Sequence, residues 1–158
     1  MRISMGKRTL KRKRKRKTLR GGDIRNIREV LRNIQLQVDG EEVDGDENGF
    51  YGRLYTLIED EHMTNLAVGN PILDQQLNDM VSSLREFVDR LNEANATAEL
   101  TLDYIRTLRT RMMSTLEEMM NLAQDMDETT RPISDRMIDE MNAEIVFIQG
   151  QFNTLALD

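Results

Sequence analysis

Cysteine and tryptophan are missing from this sequence of 158 residues, which has only two prolines, three tyrosines and four phenylalanines. The lack of cysteine excludes disulfides and thiolate metal sites. So little aromatic mass leaves the apolar surface to leucine, isoleucine, methionine and alanine, a composition that favours helices over sheets. Apolar runs long enough to span a bilayer are also missing, and no apolar segment follows the basic N-terminus. We therefore expect neither a transmembrane helix nor a secretory signal.

Acidic residues are missing from the first part of the chain, and lysine is missing from the rest. The first twenty residues hold eleven lysines and arginines and no acid, whereas no lysine occurs after residue 20 and eleven arginines there face all twenty-eight acids. The net charge of −6 is thus +11 in a basic arm, residues 1–20, and −17 in the remainder, which we call the body. The arm cannot bury itself, because each buried charge would need a partner. Its chemistry therefore lies in meeting a polyanion or an acidic surface.

The division at residue 22 predicts a joint between the arm and a helical body that covers residues 23–158. Gly21-Gly22 is typical of a flexible connection, and Asp23 is a suitable N-cap. A helix over about 23–38 is indicated by apolar residues spaced 3, 4, 3, 4 on one face. These residues are Ile24, Ile27, Leu31, Ile34 and Val38.

An acidic, glycine-broken loop over residues 39–49 follows, and then a helix over about 50–67. The loop matches four positions of an EF-hand at Asp44, Asp46, Asn48 and Gly49, but Tyr55 stands where the bidentate glutamate is needed. We therefore interpret it as a solvated acidic loop and expect no metal or other cofactor. Next, Asn70 and Pro71 are predicted to cap and begin another helix.

A long apolar seam dominates residues 71–128, which lack glycine and proline between Ile72 and Thr130. Sixteen positions from Leu73 to Met126 alternate in steps of 4 and 3, and fourteen are apolar, which indicates helix. The unbroken register favours one continuous helix, with a hairpin break at 92–97 as the alternative. Ten seam residues are predicted to make helix–helix contacts: Leu73, Leu77, Met80, Leu84, Phe87, Leu91, Ile105, Leu108, Met112 and Met119.

A last helix is predicted over 132–150, with a stripe of Ile138, Met141, Ile145, Ile148, Phe152 and Leu155. All segments with apolar seams must bury them against each other or against another chain. The sequence therefore predicts an all-α protein: an elongated helical bundle or coiled coil with a basic N-terminal arm. It gives no residue set that we would assign to catalysis, so we expect no enzyme and no small-molecule substrate.

The arm has three functional interpretations: neutralisation of nucleic-acid phosphates, attraction to anionic membrane, and nuclear import. Docking of the arm on an acidic surface of its own or a neighbouring subunit is the structural alternative. The arm has no aromatic residue to stack on bases, which argues against single-strand readout. The residues predicted to bind a polyanion or partner are Lys7, Arg8, Lys11, Arg12, Lys13, Arg14, Lys15, Arg16, Lys17 and Arg20.

The string of residues 11–22, an unbroken Lys-Arg run that continues into Thr18-Leu19-Arg20 and ends in Gly21-Gly22, carries one resemblance. It resembles the basic tails of small structural proteins of nucleocytoplasmic large DNA viruses. The resemblance covers about the first twenty-two residues and is compositional. It implies a virion component, such as a minor capsid protein between the outer capsomers and the inner membrane.

Two functions of different classes follow. The first is a structural assembly protein, a viral minor capsid or scaffold component that bridges larger subunits through a helical body and a basic arm. The alternative is a coiled-coil protein that associates with nucleic acid as an architectural or regulatory factor, with the arm as its DNA-binding or nuclear-targeting element. The expected location is the virion for the first and the nucleus for the second.

Overall fold

The computed structural model describes residues 21–40, 49–155 and 157, and within these ranges all regular structure is helical. Six helices follow in order: α1 (Gly21–Asp39), α2 (Phe50–Ile58), α3 (Glu61–Val68), α4 (Pro71–Ala96), α5 (Leu102–Gln124) and α6 (Arg131–Asn153). The predicted all-α class is therefore confirmed. The arm and residues 41–48 of the acidic loop lie outside the described residues.

Four helices, α1, α4, α5 and α6, form the bundle. α4 and α5 pack side by side, as do α5 and α6, while α1 packs on both α4 and α6. Along α1, Arg28 and then Gln35 contact Thr97 and then Asn95, so α1 is antiparallel to α4. Asn33 and then Gln37 contact Gln151 and then Glu144, so α1 is also antiparallel to α6. The bundle therefore runs up-down-up-down, with α1 and α5 on one diagonal. α2 packs against α1, α4 and α6, and α3 against α4.

The predicted continuous helix over 71–128 is wrong, and the hairpin alternative describes the chain. α4 ends at Ala96, α5 begins at Leu102, and Ala98, a predicted seam residue, is exposed in the link between them. Thr101 caps α5, since its side chain accepts a hydrogen bond from the Tyr104 amide at 3.1 Å. The reversal lets the two halves of the seam bury against each other, which a straight helix could do only with another chain.

The ten seam residues singled out in the sequence are all buried in one apolar core. The core also takes in Leu116 and Ala123, which are not on the predicted seam. Phe50 of α2 packs edge-on against Phe87, with ring centroids 6.3 Å apart. The seam residues thus pack against other helices of the same chain.

Three local predictions at the start of the body need correction or refinement. Gly21 and Gly22 lie in the first turn of α1 instead of forming a joint, and Asp23 is inside that turn instead of capping it. The helix expected over 50–67 is two helices, because Asp60 caps α3 by accepting hydrogen bonds from the His62 and Met63 amides. The predicted cap at Asn70 is confirmed, since its side chain accepts a hydrogen bond from the Leu73 amide at 3.1 Å.

The buried stripe of α6 also differs from the predicted one. Ile138 and Ile145 are only partly buried, whereas Met137 and Glu144, the residues just before them, are fully covered. Met141, Ile148 and Phe152 are buried as expected. The stripe is rotated by about one residue, and it carries a carboxyl group into the core.

The acidic loop begins and ends at one point at the end of α1. Gly40 has a φ of 80°, the left-handed conformation in which glycine is favoured. Gly49 lies so close that a Cβ added to it would be 2.2 Å from the Val38 carbonyl oxygen. The two glycines therefore close the loop, and a side chain at Gly49 would open it.

Candidate functional site: the arm-bearing end and a buried acid

The ten predicted polyanion-binding residues of the arm all lie outside the described residues. What the structure gives is the helix that follows them, α1, and the end of the bundle at which α1 begins. We call this the arm-bearing end; it consists of the start of α1, the link 97–101 and Leu157. The geometry of this end determines where the arm emerges.

The start of α1 is tied to the link by hydrogen bonds. Arg28 donates to the Asn95 carbonyl oxygen at 3.3 Å and to that of Thr97. Asn95 in turn donates through Nδ2 to Gln35 Oε1 at 3.0 Å. These bonds satisfy carbonyls that the end of α4 leaves without helical partners. Because they join residues more than sixty positions apart, they fix α1, and with it the origin of the arm, to the bundle.

Arginines also surround the arm-bearing end. Arg25 and Arg32 are exposed on α1, about one and about three helical turns from the origin of the arm. Arg106 of α5 donates to the carbonyl oxygen of the buried Leu157 at 2.6 Å and holds the C-terminal segment against this end. Exposed arginines thus continue from the arm onto α1, although the three arginines of that helix are balanced by three acids.

The described body is electrically polar along its length. The half next to the arm, residues 21–40, 87–111, 145–155 and 157, has seven arginines and seven acids and is neutral. The opposite half, residues 49–86 and 112–144, has four arginines and fifteen acids, a net charge of −11. We call the second part the acidic half. The antiparallel order of the helices brings these distant segments together, so the polarity belongs to the fold.

The second candidate feature is Glu144, whose side chain is 1% exposed in the core between α1, α2 and α6. Burial raises the pKa of this carboxyl to about 7, although the side chain of Gln37 and the charge of Arg53 act in the opposite direction. Glu140 raises the pKa further and forms an ion pair with Arg53, Nε to Oε2, at 2.7 Å. Glu144 Oε1 accepts no hydrogen bond from the described residues.

Sequence reasoning missed Glu144 because Ile145 offered an equally regular apolar stripe. A second series, Met137, Met141, Glu144 and Ile148, is spaced 4, 3, 4 and is equally regular, so it names Glu144 as a candidate without selecting it over Ile145. A carboxyl group with a pKa near neutrality can hold or release a proton at physiological pH. The Glu144 carboxyl is enclosed in the core, so gain or loss of its proton changes the stability of the folded bundle and not the binding of a ligand from solvent.

A groove of about 360 Å³ lies in the acidic half where α3 meets α4. Its walls include Ala67, Val68, Leu77 and Val81, and Glu59 and Asp74 are among its polar residues. Val68 is 86% exposed, and Ile72, just past the turn between the two helices, is 74% exposed. The groove therefore offers apolar and polar surface side by side, and two carboxyl groups are among its polar residues.

Within the described ranges, no three metal-ligating side chains cluster as they would around an ion. None of the six described helices has the length and apolarity to cross a bilayer. No family model, no curated protein and no solved structure matches the chain. Fold and charge distribution thus define the class, an acidic up-down-up-down helical bundle preceded by a basic arm.

Proposed function

We propose that this chain is a non-enzymatic assembly protein, a minor capsid or scaffold component of a virion that bridges larger subunits. In this role the helical bundle is the spacer and the basic arm is the attachment. α4 alone, with 26 residues, spans about 39 Å, so the bundle is long enough to separate two neighbours. The resemblance of residues 1–22 to basic tails of virion proteins supports the location.

The observation that carries the proposal is the separation of charge. Eleven positive charges precede α1 in the sequence, the bundle half that follows them is neutral, and the net −11 of the described body lies in the other half. A chain with this polarity presents a basic attachment at one end and an acidic surface at the other. Charge complementarity of this kind orients partners and speeds their encounter.

The proposal assigns no reaction to the chain. The fold brings together four polar side chains, Gln37, Arg53, Glu140 and Glu144, as a buried carboxyl beside a partly exposed ion pair. Such an arrangement fits a role in holding the bundle together. The partners proposed are therefore protein subunits, together with DNA or an anionic membrane surface at the arm.

An amine-reactive cross-linker tests this proposal cleanly, because every lysine of the chain lies in the arm. Apart from the terminal amine, cross-links formed through lysine on purified particles can come only from Lys7, Lys11, Lys13, Lys15 and Lys17. We expect mass spectrometry of particles to join these residues to capsid subunits. Absence of the chain from purified particles, or its release by nuclease treatment alone, would contradict the structural role.

A nucleic-acid-associated architectural protein is the second candidate, and the exposed Arg25 and Arg32 favour it. They extend the basic surface from the arm onto a fixed helix, where they would contact phosphates beside the arm. Photo-cross-linking to DNA in cells separates the two candidates. Cross-links to DNA without cross-links to capsid subunits would favour the second.

A further inference from the structure

We propose that the Lys-Arg run of one copy, residues 11–17, docks in the α3–α4 groove of a second copy. The inference rests on the proposed role of the arm as an attachment and names a partner for it. It joins the arm of one molecule to the acidic half of the next. Such a head-to-tail contact uses two different surfaces, so it continues into chains or closes into rings.

The chemistry of the groove suits lysine and arginine side chains. Their methylene stems pack on apolar surface while their charged ends stay in water. In the groove, Val68, Leu77 and Val81 supply the apolar surface, and Glu59 and Asp74 supply the opposite charge. Neither acid is engaged in an ion pair with any residue that the structure describes. A purely apolar segment could pack against these apolar side chains, but it would leave both carboxylates without an oppositely charged partner.

The length of the arm favours a second copy over the molecule's own groove. Gly21 lies seven residues, or about 10 Å, beyond Arg28, which bonds to the end of α4. From Asn95 to Leu77 is a further 27 Å or so along α4 in the opposite direction from Gly21. The middle of the run, Arg14, is seven residues from Gly21 and reaches at most about 25 Å. The centre of the run therefore falls short of its own groove.

Electrostatics point the same way. Within its own molecule the run is joined through α1 to the arm-bearing half, whose described residues carry no net charge. In a second copy it meets the half with a net charge of −11. An excess of opposite charge is therefore offered by the acidic half, which the centre of the run reaches only in a second copy.

The test uses full-length variants and their state of association. Glu59→Gln/Asp74→Asn alters the groove, and Glu117→Gln/Glu118→Gln makes the same change of charge on α5, which does not border the groove. In sedimentation equilibrium at low ionic strength, we expect wild type to self-associate and the groove variant to have a dissociation constant about tenfold higher. The α5 variant should stay within about twofold of wild type.

A second pair of variants probes the apolar wall without changing charge. Val68→Ser removes an exposed apolar side chain at the groove, and Val146→Ser does the same on α6, where Val146 is 70% exposed. Only the first should weaken association. Both sites are on the surface, so circular dichroism should report folded protein for each.

The direction of docking is tested by mixing. An arm variant, Arg12→Gln/Arg14→Gln/Arg16→Gln, keeps its groove, while the groove variant keeps its arm. The equimolar mixture should regain wild-type affinity yet stop at a 1:1 dimer. With one partner isotopically labelled, carbodiimide should couple arm lysines to Glu59 or Asp74 across the two chains.

Three results would overturn the inference: wild type that stays monomeric, equal effects of the groove and α5 variants, or carbodiimide coupling confined to single chains. None of these touches the proposed function, because the groove variant retains the arm. Its cross-linking to capsid subunits would continue. Loss of that cross-linking in wild type would instead remove the assembly role while leaving the self-association measurement valid.

Discussion

Glu144 is the residue whose burial costs the folded bundle the most free energy, because its carboxyl group is ionisable. It is 1% exposed, and one carboxyl oxygen accepts no hydrogen bond from the described residues. Ionisation there requires a charge in a poorly solvated place, which is why its pKa is raised to about 7. Nothing in sequence spacing could decide between Glu144 and Ile145, since both complete a helical stripe. The choice is made by how α6 rotates against α1 and α2.

Substituting glutamine for this acid should make the bundle more stable at alkaline pH. The carboxyl has a pKa of about 7 when folded against a usual 4.5, so the native state binds a proton that the unfolded state has already released. Wild-type stability therefore falls as pH rises from 4.5 through 7, by up to about 3 kcal/mol. Glu144→Gln carries no charge, so its free energy of unfolding should not fall over this pH range. Measured by urea denaturation, the variant should be much more stable than wild type at pH 8 and little more stable at pH 5.

The exposed Glu118 provides the control for this measurement. Glu118→Gln makes the same chemical change on the surface of α5 and should show no pH-dependent gain. Equal m-values for the variants would show that the comparison concerns stability alone. A constant difference between wild type and Glu144→Gln from pH 5 to pH 8 would mean that Glu144 keeps the same protonation state on unfolding.

At the scale of elements, the hairpin of α4 and α5 shows why periodicity alone misjudged the topology. Ala94, Ala98, Thr101 and Ile105 keep the 4, 3 spacing across the link, although Ala98 is exposed. The end of α4 is stabilised by contacts distant in sequence, the bonds from Arg28 to the carbonyl oxygens of Asn95 and of the C-cap residue Thr97. Local spacing carries no information about such a partner. The cap at Thr101 was readable locally, because threonine is a favoured N-cap.

Two alanine-to-glycine substitutions distinguish the hairpin from a continuous helix. Ala94→Gly lies in the buried last turns of α4, so it should cost about 1–2 kcal/mol in helix propensity and lost apolar contact. Ala98→Gly lies in the link, where no helix is interrupted, and should cost less than about 0.5 kcal/mol. Urea denaturation of both variants measures the contrast. Similar losses of about 1 kcal/mol or more would indicate that helix runs through residue 98.

At the scale of the whole molecule, composition and seams predicted the class, and contacts decided the arrangement. The few aromatics, the apolar surface of leucine, isoleucine, methionine and alanine, and the regular seams predicted an all-α bundle, and the ten seam residues are all in its core. The sequence also placed eleven positive charges before the first helix. It could not show that the acids gather in one half, because that depends on which segments the antiparallel order brings together. The groove between α3 and α4 could not be predicted from the sequence either, because it also depends on which segments pack together.

The arm should bind polyanions through charge alone, and salt provides the measurement. If the seven residues of the Lys-Arg run each neutralise one phosphate, log K for duplex DNA should fall against log salt with a slope of about −6. Affinity should be nearly independent of base sequence, because lysines and arginines that neutralise phosphates carry no sequence information. Replacing the run with glutamines should abolish binding while leaving the helical circular dichroism unchanged.

The acidic half opposes this binding, so neutralising Glu59 and Asp74 to amides should raise DNA affinity as it weakens self-association. A slope near zero, or a preference for one sequence that survives high salt, would show that something other than the charge of the arm holds the DNA.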